Sequence, residues 1–310
     1  MKLTNSLIKL TPHMVEKVWG GSRLAKLKTN INTKNLPKIG ETWEISIHKD
    51  GPSAVNGTTL DTLVNEVELP YLFKLIDTND FLSIQVHPDD EYAGKYENSS
   101  GKTECWIILD AEDGAGIYLG FKKGVTKEVF DNGLAGNEDI SKYLQFHPVN
   151  RGDFFFVPAG TIHAIGKGVF LAEIQQSSGI TYRVWDWNRP GDDGLPRDLH
   201  VKQALDVLRF EEDFNSMNNF RIKRDVFAAS DINLIEHDQF VVKIFNVEKK
   251  ETIHLSDLGR HAGILCAEGN AQIQRGKEKV DLDTYESILL SRGEENRIDI
   301  SGKCILILVE

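Results

Sequence analysis

Residues 152–163 read Gly-Asp-Phe-Phe-Phe-Val-Pro-Ala-Gly-Thr-Ile-His (GDFFFVPAGTIH): a run of apolar residues, a turn carrying Pro158 and Gly160, and a histidine just beyond it. Proline presets φ and glycine admits backbone conformations that other residues avoid, so the stretch is strand, tight turn, strand. Working outward, short apolar or alternating runs recur at Glu41–Ile47 (ETWEISI), Tyr71–Ile76, Phe81–Val86, Glu104–Leu109, Phe154–Val157, Phe170–Ile174 and Thr181–Trp187. Gly, Asp, Asn and Pro punctuate them. Helical periodicity is clearest after Asp198, where Val201, Ala204, Leu205 and Leu208 recur on one face; shorter helices are expected around Thr59–Asn65 and Thr126–Leu134.

Beyond the acidic stretch Phe210–Asn219 a second strand-rich block begins, with short strands expected at Phe240–Val247, Gly263–Ala267, Ala271–Gln274, Ser287–Leu290 and Cys304–Val309, and a turn at Glu268-Gly269-Asn270. The expectation is a first domain over residues 1–219 with helical additions and a second, all-β domain over 220–310. A gapless comparison of Gly152–His163 with Tyr285–Asn296 sets Asp153 against Glu286, Gly160 against Gly293 and His163 against Asn296, which suggests a repeat whose second copy lacks the histidine.

The chain has 310 residues, room for about two domains by the usual ~150 residues each. Lys and Arg total 36 against 47 Asp and Glu, a net charge of −11, and such a field repels nucleic acid while leaving room for a small phosphorylated ligand in a locally basic pocket. No apolar stretch approaches the ~20 residues of a membrane span. The opening MKLTNSLIKLTP has Lys9 where a secretory signal needs an apolar core, so a cytoplasmic location is expected. The three cysteines, Cys105, Cys266 and Cys304, have no C-x-x-C spacing and suggest neither a disulfide framework nor a thiolate zinc site.

Strand alternation puts Gln85 and His87, in SIQVHP, on one face. Glu104 and His163 could join them from neighbouring strands, forming an oxygen- and nitrogen-rich set suited to zinc, with iron and manganese also acceptable. A hydrogen-bonded structural histidine and a solvated strand-end glutamate are the competing readings. Lys74, within YLFKLI, either meets an anion or faces water. In TYRVWDW, alternation groups Arg183 with Trp185 and Trp187, so a stacked structural arginine competes with a functional one. Trp19–Gly21 either covers a pocket mouth or forms a tight surface turn.

The pattern Gly152-Asp153-x4-Pro158-x-Gly160-x2-His163 resembles the second motif of the cupin superfamily, although Gln85 stands where many cupins have histidine and the gap from His87 to Glu104 is long. With SIQVHPDDEYA (Ser83–Ala93), GKTECW (Gly101–Trp106), GDFFFVPAGTIHAIGKG (Gly152–Gly168) and TYRVWDW (Thr181–Trp187), the first two-thirds of the chain is similar to the type I mannose-6-phosphate isomerases, short bacterial branch. That resemblance implies a mainly β fold of two tandem cupin (jelly-roll) barrels, the second degenerate. It implies one zinc ion per chain on Gln85, His87, Glu104 and His163. It places Arg183, Glu173 and Lys102 in the catalytic site and Lys74, Ser83 and Arg189 at the phosphate of a sugar phosphate substrate. The implied reaction interconverts mannose 6-phosphate and fructose 6-phosphate through a cis-enediol. Rival readings are a metal-dependent cupin oxygenase, for which His87, Glu104 and His163 would hold iron, and a non-catalytic sugar-binding cupin.

Overall fold

Every residue of the strand Tyr71–Asp77 is buried, because the strand is covered on both faces. Tyr71, Phe73 and Leu75 enter the main apolar core, while Leu72, Lys74 and Ile76 line a cavity on the other side. The structure, a computed structural model, describes residues 6–29, 36–191, 194–256 and 260–310; the start of the opening segment, residues 1–5, lies outside the described residues. The architecture is mainly β and cupin-type, as expected, built from antiparallel sheets.

Tyr71–Asp77 belongs to a six-stranded sheet ordered Phe154–Val157, Glu104–Ala111, Val169–Gln176, Tyr71–Asp77, Ile39–Ile45, His13–Gly21. A five-stranded sheet, Leu144–Pro148, Gly116–Phe121, His163–Ile165, Ile84–Val86, Tyr182–Trp185, packs on its inner face through Ile117, Leu119 and Ile165 against Trp106, Ile108 and Leu171. Helices Lys127–Ala135 and Val201–Val207 contribute Phe130 and Ala204 to the apolar cluster behind that second sheet. The main path of the C-terminal sheet runs Leu7–Lys9, Ser287–Leu290, Ala262–Arg275, Arg297–Val309, Phe240–Val247, Asp231–His237. Its Val242, Leu265 and Ile307 share one core with Phe73, Leu75 and Ile107 from the outer face of the six-stranded sheet. Leu7–Lys9, from the N-terminal end, pairs with Ser287–Leu290 and so crosses the division at residue 219.

Several expected elements shift. Glu268-Gly269-Asn270 is not a turn: it pairs in register with Ile305, Cys304 and Lys303 within the single strand Ala262–Arg275, just past a bulge at Ala267. Arg297–Val309 pairs along it on both sides of the bulge, and Gly269, opposite Cys304, takes a φ of +77° that glycine admits. That partner is itself longer than the expected Cys304–Val309. Phe81–Val86 contracts to Ile84–Val86, and the helix expected near Thr59–Asn65 is one 3-10 turn, Leu60–Thr62. Strand Phe154–Val157 and its counterpart in the sequence comparison, Ser287–Leu290, coincide residue for residue.

The strand Ile39–Ile45 carries polar residues on both faces. Glu41 and Trp43 line the cavity; Thr42 donates to Glu44, and Glu44 accepts the Ser287 hydroxyl at 2.8 Å and pairs with Lys28 at 2.8 Å. A buried carboxylate with this many donors is held in place, and it ties the six-stranded sheet to the C-terminal sheet.

Candidate metal centre and active-site pocket

Gln85, on the short strand Ile84–Val86, pairs with His163 on one side and with Arg183 on the other. His87 follows two residues later on the same face. Glu104 opens its strand in the opposite sheet. His87, Glu104 and His163 thereby offer ligating atoms all within 4.8 Å of one another, all three residues buried. His87 Nδ1 donates to the Ile180 carbonyl at 2.8 Å and His163 Nδ1 to the Thr161 carbonyl at 2.9 Å. Each Nε2 then keeps its lone pair for the centre, 3.6 Å and 3.4 Å respectively from the Glu104 oxygens.

Burial lowers both imidazole pKa values, His163 to about 4 and His87 well below its usual 6.5, so both stay neutral at neutral pH, the form that binds a metal. Burial, reinforced by the charge of Glu173, pushes Glu104 upward against the pull of Lys102. Glu104 Oε1 has no hydrogen-bond donor among the described residues, while Oε2 faces the Lys102 ammonium at 2.9 Å, which also lies 3.2 Å from His87 Nε2. Two neutral imidazoles turned toward a carboxylate with one bare oxygen, with an ammonium drawn in beside the other, fit a divalent cation of the zinc type. The Gln85 amide lies 3.3 Å from His163 Nε2, and half a turn of that amide exchanges its nitrogen for oxygen without steric cost.

Beside this centre a row of partners crosses five strands: Trp106, Glu173, Lys74, Trp43 and His13. Glu173 accepts from Lys74 Nζ and from the Trp106 indole, each at 3.1 Å. Burial raises its pKa, but Lys74 and Lys102 outweigh burial and hold it below the ordinary range, so it is an ionised carboxylate facing the cavity. Lys74 also donates to Gln175 at 2.6 Å and lies 3.8 Å from Glu41. Of the readings open for Lys74, the structure selects an anion partner.

The cavity, about 460 Å³, is walled by Trp19, Trp43, Leu72, Ile76 and Leu82 and presents Lys74, Ser83, Gln85, Lys102, Glu173 and Arg183. Trp19 is buried in this wall. Arg189 is not among the lining residues; its guanidinium binds Asp80 at 3.1 Å and Asp186 at 2.9 Å. Trp185 and Trp187 do not line it either, which corrects the grouping of Arg183 with these aromatics. The register shifts between Arg183 and Trp185, and Trp187 lies past the strand end with φ +59°. Arg183 instead donates to the Asp198 carbonyl at 2.7 Å. Residues the sequence reading did not single out complete the wall: Glu41, Trp43 and Arg197 line it, while Gln175 holds Lys74.

Glu41 carries a pH test. Burial raises its pKa, but the Lys74 and Lys17 ammonium groups and the Trp43 indole bring it down to about 2 from an ordinary 4.5. A folded-state pKa below the unfolded value stabilises above the unfolded pKa, by about 3 kcal/mol here, and that contribution is lost as pH falls from 4.5 through 2. Glu41→Gln is therefore expected to destabilise the protein most at pH 7, with the gap to wild type closing in acid. Equal gaps in unfolding free energy at pH 7 and at pH 3 would contradict this.

Comparison with known proteins points one way. Residues 7–109 match the family model for phosphomannose isomerase type I, catalytic domain. A mannose-6-phosphate isomerase of Streptococcus mutans is 42% identical over 223 residues, 67% of this chain and 69% of that protein. A probable mannose-6-phosphate isomerase of Bacillus subtilis is 40% identical over 249 residues, 75% of this chain and 77% of its own length. Among solved structures, the mannose 6-phosphate isomerase from Bacillus subtilis superposes with a TM-score of 0.83 at 28% identity, covering 98% of this chain and 99% of that one.

Proposed function

The chain belongs to the type I mannose-6-phosphate isomerases, and from that premise we propose that Gln85, His87, Glu104 and His163 hold one zinc ion beside a proton-transfer site built on Glu173. The enzyme is an aldose-ketose isomerase interconverting mannose 6-phosphate and fructose 6-phosphate. The observation that carries the site assignment is the juxtaposition, across one cavity, of a buried His-Glu-His cluster and an ionised, fixed carboxylate.

The reaction moves a proton between C2 and C1 of the sugar, which requires a base, a stabiliser for the developing oxyanion and exclusion of water. When bound, the zinc ion supplies Lewis-acid polarisation of substrate oxygens. Glu173 takes the proton from one carbon and returns it to the other; Lys74 and Trp106 fix its two oxygens, so it need not reorganise between the two transfers. Arg183 carries fixed positive charge toward the enediolate, and Lys102 adds a second cation beside the metal ligands. Ser83, buried next to Gln85 and donating to it at 3.3 Å, offers a hydroxyl to the substrate. Trp19, Trp43, Leu72 and Leu82 exclude water from the cavity.

We assign this chemistry to residues 1–219 and a supporting role to 220–310, where the sequence comparison sets Asn296 against His163. A phosphorylated sugar is charged and crosses no apolar barrier, which supports a cytoplasmic site of action. Among the described residues no helix is long and apolar enough to cross a membrane.

The test is conversion of mannose 6-phosphate by the purified protein before chelation, after it, and after zinc is restored, with zinc content measured alongside. Turnover is expected to vanish with the metal and to return with zinc at one ion per chain. Undiminished turnover by the metal-free protein would overturn the zinc assignment.

A further inference from the structure

We propose that the C-terminal unit holds a second ligand site, for a small phosphate-bearing anion, in a cavity bounded by Arg260, His261, Arg275 and Asn296. This cavity, about 400 Å³, shares no lining residue with the catalytic one. Leu255, Ala262 and Leu290 give it an apolar wall. Asn296, set against His163 in the sequence comparison, immediately precedes the strand Arg297–Val309, as His163 opens His163–Ile165. Basic side chains thus gather at the corner that carries metal-ligating atoms in the other unit.

Arg275 is 2% exposed, and its guanidinium meets only main-chain carbonyls: Nε donates to Glu295 at 2.7 Å, Nη2 to the same oxygen and Nη1 to Ser291. Arg260 donates to the Asp238 carbonyl at 2.8 Å. Neither guanidinium makes an ion pair among the described residues, and a buried cation without a carboxylate is costly unless an anion joins it. The acidic groups nearby are engaged elsewhere. Glu310 accepts from Lys243 Nζ at 2.6 Å and from the Ser256 hydroxyl at 3.0 Å, and Glu68 pairs with Arg292. Glu278 and Glu295 act on Arg275 only from beyond ion-pair distance, and Glu294, on the cavity rim, is exposed to the screening of water.

His261 supplies a neutral donor. It lines the cavity, and its Nδ1 accepts the Arg292 N–H at 2.9 Å, which puts its own proton on Nε2. That Nε2–H has no acceptor among the described residues. Burial lowers the pKa of His261 to about 4, against the pull of Glu68 and with the help of Arg292 and Arg275, so the ring stays neutral at neutral pH. Two unmatched guanidinium charges and a neutral N–H, set round one cavity, match a dianion with several acceptor oxygens. A carboxylate offers one charge for the two. The apolar wall leaves room for the small body of a phosphate monoester beside its head.

The experiment titrates inorganic phosphate, glycerol 3-phosphate and acetate calorimetrically into the intact protein, into Arg260→Ala and into His261→Asn, whose amide oxygen still accepts from the Arg292 N–H while the Nε2 donor is gone. Competitive inhibition of mannose 6-phosphate turnover by inorganic phosphate, measured in parallel, reads the catalytic cavity alone. Both variants are expected to lose phosphate affinity at the C-terminal site by about tenfold to a hundredfold, with kcat, KM and the inhibition constant unchanged. Hydrogen exchange at the Arg292 amide is expected to slow when phosphate is added to the wild type and not when it is added to Arg260→Ala. Tighter binding of inorganic phosphate assigns the site to the free ion, and tighter binding of glycerol 3-phosphate assigns it to a monoester; both support it. Identical isotherms for the three proteins would overturn the proposal. So would a loss of affinity matched by an equal change in the inhibition constant, which would put the phosphate in the catalytic cavity, and so would acetate binding as tightly as phosphate.

Discussion

Replacing His163 by alanine is expected to lower kcat/KM for mannose 6-phosphate by about three orders of magnitude or more and to strip the protein of its metal. His163 is buried, its ring fixed by the Thr161 carbonyl, and its Nε2 lies opposite Glu104, so the truncation leaves a donor set that cannot close around an ion. Lewis-acid stabilisation of several kcal/mol goes with it, and each ~1.4 kcal/mol is a factor of ten in rate. The fold survives in outline, since the imidazole contributes little to the apolar cores. Metal content by elemental analysis and turnover, measured on the same preparation, check the expectation. A variant that keeps its metal and more than a tenth of wild-type activity would remove His163 from the centre.

Glu173→Gln is expected to cost about a hundredfold to ten-thousandfold in kcat, with metal content intact and KM changed by no more than a few-fold. The amide preserves size and can still accept from Lys74 or from Trp106, but it cannot take a proton. The split between kcat and KM is diagnostic. A residue that only positioned substrate would move KM, and a residue that only shaped the cavity would move both. Exchange of the C2 proton with solvent deuterium should slow in step with kcat; unchanged exchange would place the base elsewhere, with Lys102 next to examine.

Much of this site is readable one residue at a time. Phe154–Val157 and Ser287–Leu290 fall where the apolar runs stop at turn residues, because local pattern and turn chemistry agree there. Gln85 and His87 share a face by strand alternation alone. Arg197 was not readable. It lies in an irregular segment without periodicity, and only the fork on Asp186, a tertiary contact, brings it to the cavity. Glu41 escaped for another reason: the strand carrying it is buried on both faces, whereas in the sequence Thr42, Glu44 and Ser46 look like its solvated half and Glu41 like a polar residue at the end of its apolar half. The Glu268-Gly269-Asn270 stretch has the composition of a turn, and only the long ladder to Arg297–Val309 keeps it in a strand. Arg183 and the two tryptophans part because a register shift intervenes, which no alternation rule anticipates.

The apolar residues shared between the six-stranded sheet and the C-terminal sheet, with Glu44 spanning the same boundary, also govern how the chain comes apart. Phe73 and Leu75 share one apolar cluster with Val242 and Ile307, so unfolding is expected to be one cooperative transition, with probes in either unit melting together. A ligand that binds only the native state raises the stability of everything that melts with it. A divalent cation or sugar phosphate bound between the five- and six-stranded sheets is therefore expected to protect the amide hydrogens of the C-terminal sheet, which touches neither.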